Sequence, residues 1–523
     1  MSLCKWLDSS YNNEIVKYRF LNFLFGITDT DGKNYYIKSI KNLYLKYTKS
    51  LIISFQHIVV KDPILAIWLT EQPEKIIEIF FKTVKELIED IFSQFFDKNF
   101  NFFIRISDLP LYNFFSVPIE IFNNSLIKIK GIVISITNSC SHISFHKLVC
   151  LKCLQLQKQI FSNLDKKKEI ITSCYNCKTN GPFQISRYHS IYSNFQKIKL
   201  QEAYFNDISY KQIILKDELV GKVKPGDEIE ITGVIKYNFE FNKKNIYNFP
   251  IFSFFVDANY VEKQDNGFKN FFFDFWEKKF ISKLFIKKRF LDFLLNSFAK
   301  SFIIDPRIRL AIIMSIFGGK LNKKNSFMKD KENLNLLILG NYNLAKLQIL
   351  KDINRFLPKS FYIPGKRIAL KNLTASLKFD KFIQDWTVEG GILVISDKGY
   401  CIIDQIHKMG ILEQKFLREA ISQKKIFVMR KGVIQSFSTR FSIIASANWE
   451  TNDSELFFIN SQFLENNTFR NDFIFFFDLI CIVDDITESL RDKIQISSFL
   501  NISSASFSER DLSNARIAVI AFL

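Results

Sequence analysis

The spacing of apolar residues changes twice along the chain and divides it into three regions. In roughly the first hundred residues, DPILAIWL and PEKIIEIFFKTVKELIEDIFSQFF place apolar residues at i, i+3 and i+4 behind Pro63 and Pro73, which predicts helices. From Leu126 to about Val261, the runs IKIKGIVISIT, NFQKIKLQE and PGDEIEITGVIKY are short and alternating or β-branched. This second region predicts a small β-barrel with an insertion.

The third region begins at Asp305 and alternates helical with strand patterns. PRIRLAIIMSIFGG and LAKLQILKDINRF have helical spacing, whereas LNLLILG, GGILVIS, CIIDQI, FSIIASAN and FDLICIV are uniformly apolar and predict buried strands. Buried strands that alternate with helices favour a mostly parallel sheet covered on both faces. Such a sheet usually carries its site at the carboxyl ends of its strands.

Composition and charge narrow the class of protein. A chain of 523 residues is too long for a single small module, and 47% apolar residues exclude a mostly disordered chain. The net charge of +19 predicts an anionic partner, nucleic acid or an acidic membrane surface, with a solvated basic surface as the alternative. MSLCKWLDSS lacks the apolar core of a secretion signal, and no apolar stretch reaches the ~18 residues of a membrane span.

Two CxxC pairs, separated by 20 residues, have the four-thiolate spacing of a zinc ribbon. The predicted ligands are Cys150, Cys153, Cys174 and Cys177. A closed four-cysteine shell leaves no position for substrate, so the predicted zinc is structural. His142 and His146 are surplus to this shell. The alternative is four reduced core cysteines that pair by coincidence, and either interpretation places the chain in a reducing compartment.

The segment LLILGNYNLAKLQILKDI places a glycine-initiated loop and Lys346 between a buried strand and a helix. This is the architecture of a phosphate-binding loop, although a plain strand-loop-helix fits it equally well. Leu347 follows the lysine and has no hydroxyl for Mg²⁺.

Two further strands end in polar residues. Asp404 closes the strand in ILVISDKGYCIIDQIHKM and can hold Mg²⁺ or its water shell, and Asn448, at the end of FSIIASAN, can orient an attacking water. Gln405 occupies the position where an ATPase would use a glutamate to polarise that water.

Together these segments resemble the minichromosome maintenance (MCM) replicative helicases. TASLKFDKFIQDWTVEGGILVISDKGYCIIDQIHKM and LREAISQKKIFVMRKGVIQSFSTRFSIIASAN are similar to the ATPase core of the family. RISDLPL, the cysteine ribbon, GPFQISRYHSIYSNFQKIKLQE and KPGDEIEITGVIKYN resemble its amino-terminal domains, in family order. RFLNFLFGITDTDGKNYY is most similar to the second subunit of the eukaryotic heterohexamer.

The resemblance implies a multidomain fold, α+β and α/β, in which a zinc ribbon is inserted in an OB-type barrel and an AAA+ P-loop ATPase domain follows. The expected order is a helical subdomain over residues 1–108, the barrel over 109–262 with the ribbon at about 147–181, a linker over 263–300, the ATPase core over 301–485 and a reduced helical lid over 486–523.

The resemblance also implies an activity and partners. Family members form a six-subunit ring around DNA, with ATP bound between neighbours, so the implied enzyme is an ATP-dependent DNA helicase. ATP with Mg²⁺ and structural Zn²⁺ are the implied cofactors. DNA, other MCM subunits, and replication initiation and loading factors are the implied partners, without a membrane. The implied location is the nucleus, or the nucleus-like compartment of a reduced AT-rich genome.

Residues that match the family's phosphate loop, metal carboxylate and sensor are Gly340, Ala345, Lys346, Asp404 and Asn448. Within the loop, Asn343 stands where family members carry a second glycine. Three catalytic elements depart from the pattern, namely Leu347, Gln405 and Phe476, which stands at the arginine-finger position. Arg470 lies six residues away and is a poor substitute. These departures imply slow hydrolysis at this subunit and at the site that it completes for its neighbour.

The expected DNA contacts lie on two hairpins. IFVMRKGVIQSFSTR matches the family's pore hairpin, with Arg430 and Lys431 beside the turn, and YNFEFNKKNIYNF resembles a second hairpin with Lys243 and Lys244 at its tip. An exposed basic turn without a DNA contact is the alternative for the first. In the reduced lid, Arg510 is the candidate sensor arginine.

We therefore expect a subunit of the MCM helicase ring whose own ATP site is slow or inactive. The first alternative is a non-hydrolysing structural and DNA-binding ring component that binds nucleotide only. The second is a different AAA+ protein, such as a transcription activator, which the ribbon and barrel argue against.

Overall fold

The computed structural model describes part of the chain, namely residues 10–28, 34–45, 49–92, 102–110, 124–153, 156–160, 174, 176–178, 183–201, 210–240, 251–264, 278–279, 282, 295, 306–319, 333–340, 346–357, 359–380, 385–430, 433–448 and 476–483. The chain divides into two units. The first comprises Met1–Lys224, Glu228–Lys263 and Phe379–Thr387, and the second comprises Pro225–Asp227, Gln264–Lys378 and Val388–Leu523.

The predicted amino-terminal helices are present in the first unit. They are α1 Ser10–Gly26, α2 Tyr35–Leu45, α3 Phe55–Lys61, α4 Pro63–Glu71 and α5 Pro73–Ile91. Asp62 caps α4, because its carboxylate accepts hydrogen bonds from the backbone N–H groups of Ile64 and Leu65. Helix α5 buries Ile76, Phe80 and two further residues at a spacing of four, so one face of the helix enters the core.

A parallel strand pair, which the sequence analysis did not predict, joins two distant parts of this region. Strand β1, Ser50–Ser54, pairs with β2, Phe103–Ser107. Asn259 then ties β2 to the barrel, since its side chain accepts a hydrogen bond from the N–H of Ile106 and donates one to the carbonyl of Ile104. Arg105 donates to the Asn259 carbonyl at 2.7 Å. The amino-terminal helices and the barrel are therefore joined through β2.

The barrel of the first unit confirms the predicted OB-type fold. Its strands are β3 Leu126–Ile136, β4 Cys140–Cys150, β5 Leu156–Ile160, β6 Phe183–Gln201, β7 Tyr210–Lys216, β8 Glu228–Glu240 and β9 Ile251–Lys263. The order β3-β8-β9-β7-β6 is closed by a further pairing of β6 with β3. Strands β4 and β5 extend from β6 and carry the cysteine ribbon as an insertion. Ile129, Val133 and Ile198 belong to the apolar core of the barrel.

The second unit contains the predicted parallel sheet. Its strands are β10 Leu336–Gly340, β11 Ser360–Pro364, β14 Tyr400–Asp404, β17 Ser442–Asn448 and β18 Leu479–Val483, in the order β11-β14-β17-β10-β18. All four pairings are parallel. Helices α6 Pro306–Phe317 and α7 Lys346–Phe356 pack on one face, and α10 Ile411–Gln423 packs on the other. The sheet is therefore covered on both faces, as predicted.

The remaining elements are short, and two of them include residues of the segment Phe379–Thr387, which belongs to the first unit. They are α8 Leu370–Leu373, β12 Ala375–Asp380, β13 Asp385–Gly390, α9 Ile392–Ile395, β15 Lys425–Arg430 and β16 Val433–Ser438. The predicted strand in GGILVIS is wrong, because Ile392–Ile395 form one helical turn. Gly391 begins the turn and donates its N–H to the Thr374 carbonyl at 2.8 Å. A run of four apolar residues has no periodicity that separates a helical turn from a strand.

None of the helices among the described residues has both the length and the apolar character needed to cross a membrane.

Candidate functional site

Three predicted site residues meet at the carboxyl ends of neighbouring strands. Gly340 ends β10, Asp404 ends β14 and Asn448 ends β17, and Gly340 is paired with Asn448 in the sheet. Lys346 begins the helix that follows β10. The loop between them, which includes Asn343 and Ala345, lies outside the described residues.

Lys346 is 4% exposed and is held by oxygen atoms of the chain itself. Its Nζ donates to the Gly340 carbonyl at 2.6 Å, to the Ala447 carbonyl at 3.0 Å and to Oδ1 of Asn448 at 2.6 Å. Burial lowers the pKa of Lys346 to about 8, although the charge of Asp404 acts in the opposite direction. The Lys346 ammonium group therefore donates its three protons to neutral oxygen atoms of the protein, and the same protons would bind a phosphate.

Asp404 is buried and accepts hydrogen bonds from two hydroxyl groups. Ser446 donates to Oδ1 at 2.6 Å, and Tyr362 donates to Oδ2 at 3.3 Å. Burial raises the pKa of Tyr362 to about 12, and the Asp404 charge contributes to the shift. The sequence analysis missed Ser446 and Tyr362. The signal for Ser446 was a hydroxyl within the strand SIIASAN, two residues before Asn448.

Gln405 follows with a left-handed backbone, φ 52° and ψ 55°. Its N–H donates to the Ser446 hydroxyl at 2.9 Å, and its side-chain oxygen accepts from Lys408 at 2.8 Å. The adjacent Gly365 is needed for space, because a Cβ there would lie 2.5 Å from the Gln405 carbonyl. Gln405 therefore lies next to Asp404, but its side chain is an amide and not a carboxylate. Leu347 is 39% exposed and presents an apolar side chain at the predicted Mg²⁺ position.

Phe476 lies at the other edge of the sheet, just before β18 begins. Its carbonyl accepts a hydrogen bond from the Asn335 side chain at 3.1 Å. The Arg418 guanidinium lies over its ring, 5.2 Å from the centroid. The sequence analysis missed Arg418, although this residue lies in the segment LREAISQ that it compared with the family. Arg470 and Arg510 lie outside the described residues.

The four predicted zinc ligands are brought together in the ribbon. Their Sγ atoms all lie within 4.8 Å of one another, with Cys150 and Cys177 at 3.6 Å and Cys153 and Cys174 at 3.5 Å. Zn–S bonds of ~2.3 Å in a tetrahedron place sulfurs ~3.8 Å apart, so this set fits a zinc ion. Backbone N–H groups of Cys153 and Lys152 lower the pKa of Cys150, which favours the thiolate. The side chains of His142 and His146 lie outside the described residues.

The segment predicted as a hairpin forms the antiparallel pair β15 and β16, with Arg430 opposite Val433, and its place in a pore stays a prediction. Ile426, Val428 and Phe437 enter the core, whereas Phe427, Met429 and Ile434 are exposed. The Arg430 side chain and Lys431 lie outside the described residues. The strands of the second hairpin are also present, with Glu240 opposite Ile251, but Lys243 and Lys244 lie outside the described residues.

Comparison with known proteins gives matches over most of the chain. Three family profiles match in succession, the MCM N-terminal domain over residues 17–108, the MCM OB domain over 121–239 and the MCM P-loop domain over 277–502. A relative from Oryza sativa subsp. indica, named DNA replication licensing factor MCM2, is 29% identical over 503 residues, which cover 94% of this chain and 52% of the relative.

A protein of the same name from Schizosaccharomyces pombe is 29% identical over 460 residues, 86% of this chain and 55% of the yeast protein. The Minichromosome maintenance protein MCM of Saccharolobus solfataricus is 25% identical over 441 residues, 82% of this chain and 63% of the archaeal protein. The chain spans about half the length of the plant and yeast relatives that it matches.

Proposed function

Because the chain belongs to the MCM family, we propose that it is a subunit of a ring-shaped replicative DNA helicase. The amino-terminal, OB and P-loop domains are all matched in family order, and the relatives carry names for DNA replication licensing. The ring as a whole would be the ATP-dependent enzyme. Other MCM subunits, DNA, and initiation and loading factors would be its partners, in the nucleus.

Nucleotide would bind at the carboxyl ends of β10, β14 and β17. Lys346 would exchange its protein acceptors for phosphate oxygens, and Asp404 would hold Mg²⁺ or its water shell, which supplies charge neutralisation on the phosphates when bound. The carboxylate suits Mg²⁺, whereas Leu347 adds no oxygen ligand. The chain therefore retains a lysine that can bind phosphate and a carboxylate that can bind Mg²⁺, but it lacks the hydroxyl ligand next to the lysine.

Hydrolysis at this site would be slow. The observation that carries this proposal is that Lys346 is hydrogen-bonded to Asn448 and Asp404 to Ser446, so that Lys346 must leave its acceptors in the protein before it holds a phosphate. Gln405, beside Asp404, cannot take a proton from the attacking water as a glutamate does. The alternative, a subunit that binds nucleotide and never turns it over, is favoured by the same two features.

The experiment is to measure nucleotide binding and ATP turnover by the purified chain and by the ring that contains it. We expect the chain to bind a fluorescent ATP analogue and to show negligible turnover, and Lys346→Ala to abolish binding. Lys351→Ala, an exposed lysine on the same helix, is the control and should bind as the parent does. Rapid hydrolysis by the unaltered chain alone, lost in Lys346→Ala, would overturn the proposal of a slow site.

A structural zinc ion and DNA contacts complete the proposal. The four cysteines would hold one Zn²⁺, which supplies a cross-link within the ribbon when bound and takes no part in catalysis. Arg430 and Lys431, beside the hairpin turn, and Lys243 and Lys244 on the barrel hairpin would contact phosphates of the DNA. The +19 net charge supports binding that is insensitive to base sequence.

A further inference from the structure

Arg418 and Phe476 are in contact at the amino-terminal edge of the parallel sheet. The exposed Arg418 guanidinium lies over the half-buried Phe476 ring at 5.2 Å. Asn335 fixes the backbone below, since its side chain donates to the Phe476 carbonyl and accepts the N–H of Ile443 at 3.1 Å. The Asn335 N–H also donates to the Asp478 carboxylate at 3.0 Å. One asparagine thus joins the amino ends of β10, β17 and β18 under this ring.

This position excludes a role for Arg418 at the chain's own nucleotide site. Gly340 and Asn448 lie at the carboxyl edge, whereas Phe476 precedes β18, which runs parallel to β10. Strands of five residues, at ~3.3 Å per residue, separate the two edges by roughly 16 Å. An arginine side chain does not span that distance. A phosphate that Arg418 contacts must therefore belong to another molecule.

We propose that Arg418 supplies the cation that residue 476 lacks, and that it acts on ATP bound to the adjacent subunit of the ring. This inference rests on the proposed function. Arginine suits the role, because its planar fork of donors matches the oxygens of a phosphate and remains charged. Phe476 is then a positioning residue, whose ring orients the guanidinium by a cation–π contact.

The chemistry at that interface is ordinary ATP hydrolysis. Water attacks the γ-phosphorus, the bond to the bridging oxygen of ADP breaks, and the proton of the water leaves through the neighbour's own base. The Arg418 guanidinium keeps its proton and donates hydrogen bonds to the γ-phosphate oxygens, where negative charge is stabilised during transfer. The interface that Phe476 was expected to silence is then active.

The test uses the whole ring, purified with its partner subunits, and the transition-state analogue ADP–aluminium fluoride. We expect Arg418→Ala rings to trap one nucleotide fewer per ring and to hydrolyse ATP with a lower kcat at an unchanged KM. At the one interface that Arg418 serves, the rate of ATP hydrolysis should fall by ~10³-fold or more. Phe476→Leu should reproduce the defect, and Phe476→Tyr, which keeps a ring under the guanidinium, should not.

Lys415→Ala is the matched control, because Lys415 is an exposed cation on the same helix. Sizing of each variant ring separates a catalytic defect from lost assembly, and Arg418→Lys, which keeps the charge and loses the fork, should assemble normally and trap less. Full trapping by Arg418→Ala rings would overturn this inference alone. A parent chain that enters no ring would overturn the proposed function, and this inference with it.

Discussion

Lys346 is a buried amine whose charge state changes near neutral pH. Its pKa of about 8 means that it is mostly protonated at pH 7 and mostly neutral at pH 9. A phosphate attracts only the protonated form, so we expect affinity for ATP to fall as pH rises above about 8, by at most about tenfold per pH unit. A titration with a fluorescent ATP analogue between pH 6.5 and 9 measures this dependence.

The control for this pH dependence is Lys351→Ala, which should keep the same profile as the parent chain. Equal affinity at pH 7 and pH 9 would contradict the role given to Lys346.

Ser446 is the residue most closely coupled to Asp404. The residue is 1% exposed, and its hydroxyl donates to the carboxylate and accepts the N–H of Gln405. Ser446→Ala leaves both groups without this partner in a buried place, so we expect a loss of about 1–3 kcal/mol in the free energy of unfolding. Ser442→Ala removes a buried hydroxyl from the same strand, away from Asp404, and should cost less. Denaturant unfolding of the two variants provides the comparison, and equal losses would count against the coupling.

At the scale of elements, the ribbon depends on its metal. We expect one zinc per chain by elemental analysis and loss of that zinc in Cys174→Ser. Metal binding supplies the folding energy of such small sites, so the first unit should unfold at a lower temperature while the second unit is unchanged. Cys140→Ser, in the strand that leads to the ribbon, is the control and should retain zinc. A metal-free parent chain with an intact barrel would refute the site.

The role proposed for the β15–β16 hairpin predicts how DNA binding depends on salt concentration. We expect Arg430→Glu with Lys431→Glu to weaken DNA binding by the ring and to lower the salt slope by about 1.4 for single strands, since each phosphate contact contributes ~0.7. The control reverses two exposed helix charges, Lys351→Glu with Lys415→Glu, and leaves the hairpin intact. Binding measured from low to moderate salt distinguishes them. Identical losses in both variants would show a general charge effect and no hairpin contact.

At the scale of the whole molecule, ring turnover reports on the chain's own ATP site. Leu347→Ser with Gln405→Glu restores an oxygen ligand for Mg²⁺ and a carboxylate toward water, so ATP hydrolysis by the ring should rise. Leu347→Ser with Gln405→Ala restores only the first group and should not raise it. Ring ATPase rates at saturating ATP provide the measurement. A restored variant with the parent's rate would mean that another part of the site limits turnover.

Features of the fold that depend on a short stretch of the chain could be predicted from the sequence. The apolar strands before Gly340 and Asp404, and the spacing of the cysteines, gave the parallel sheet, its site edge and the ribbon. Contacts between distant residues were not predictable, because a single sequence does not say which distant side chains meet. The Arg418–Phe476 pair and the hydroxyl of Ser446 on Asp404 are of this kind. The resemblance to the MCM family supplied the order of domains that the profiles then matched.

The bonds that Asn259 makes with β2 have a consequence for synthesis of the protein. Ile106 and Asn259 are 153 residues apart, so the ribosome must add most of the barrel before β2 finds this partner. Until then β2 lacks the hydrogen bonds that Asn259 makes with Ile104 and Ile106, and a nascent chain with unpaired strand groups offers a binding site to chaperones. Asn259→Ala removes the side chain that bonds β2. We expect the nascent chain of this variant to stay bound to chaperones longer than the parent chain, even where the finished protein is stable.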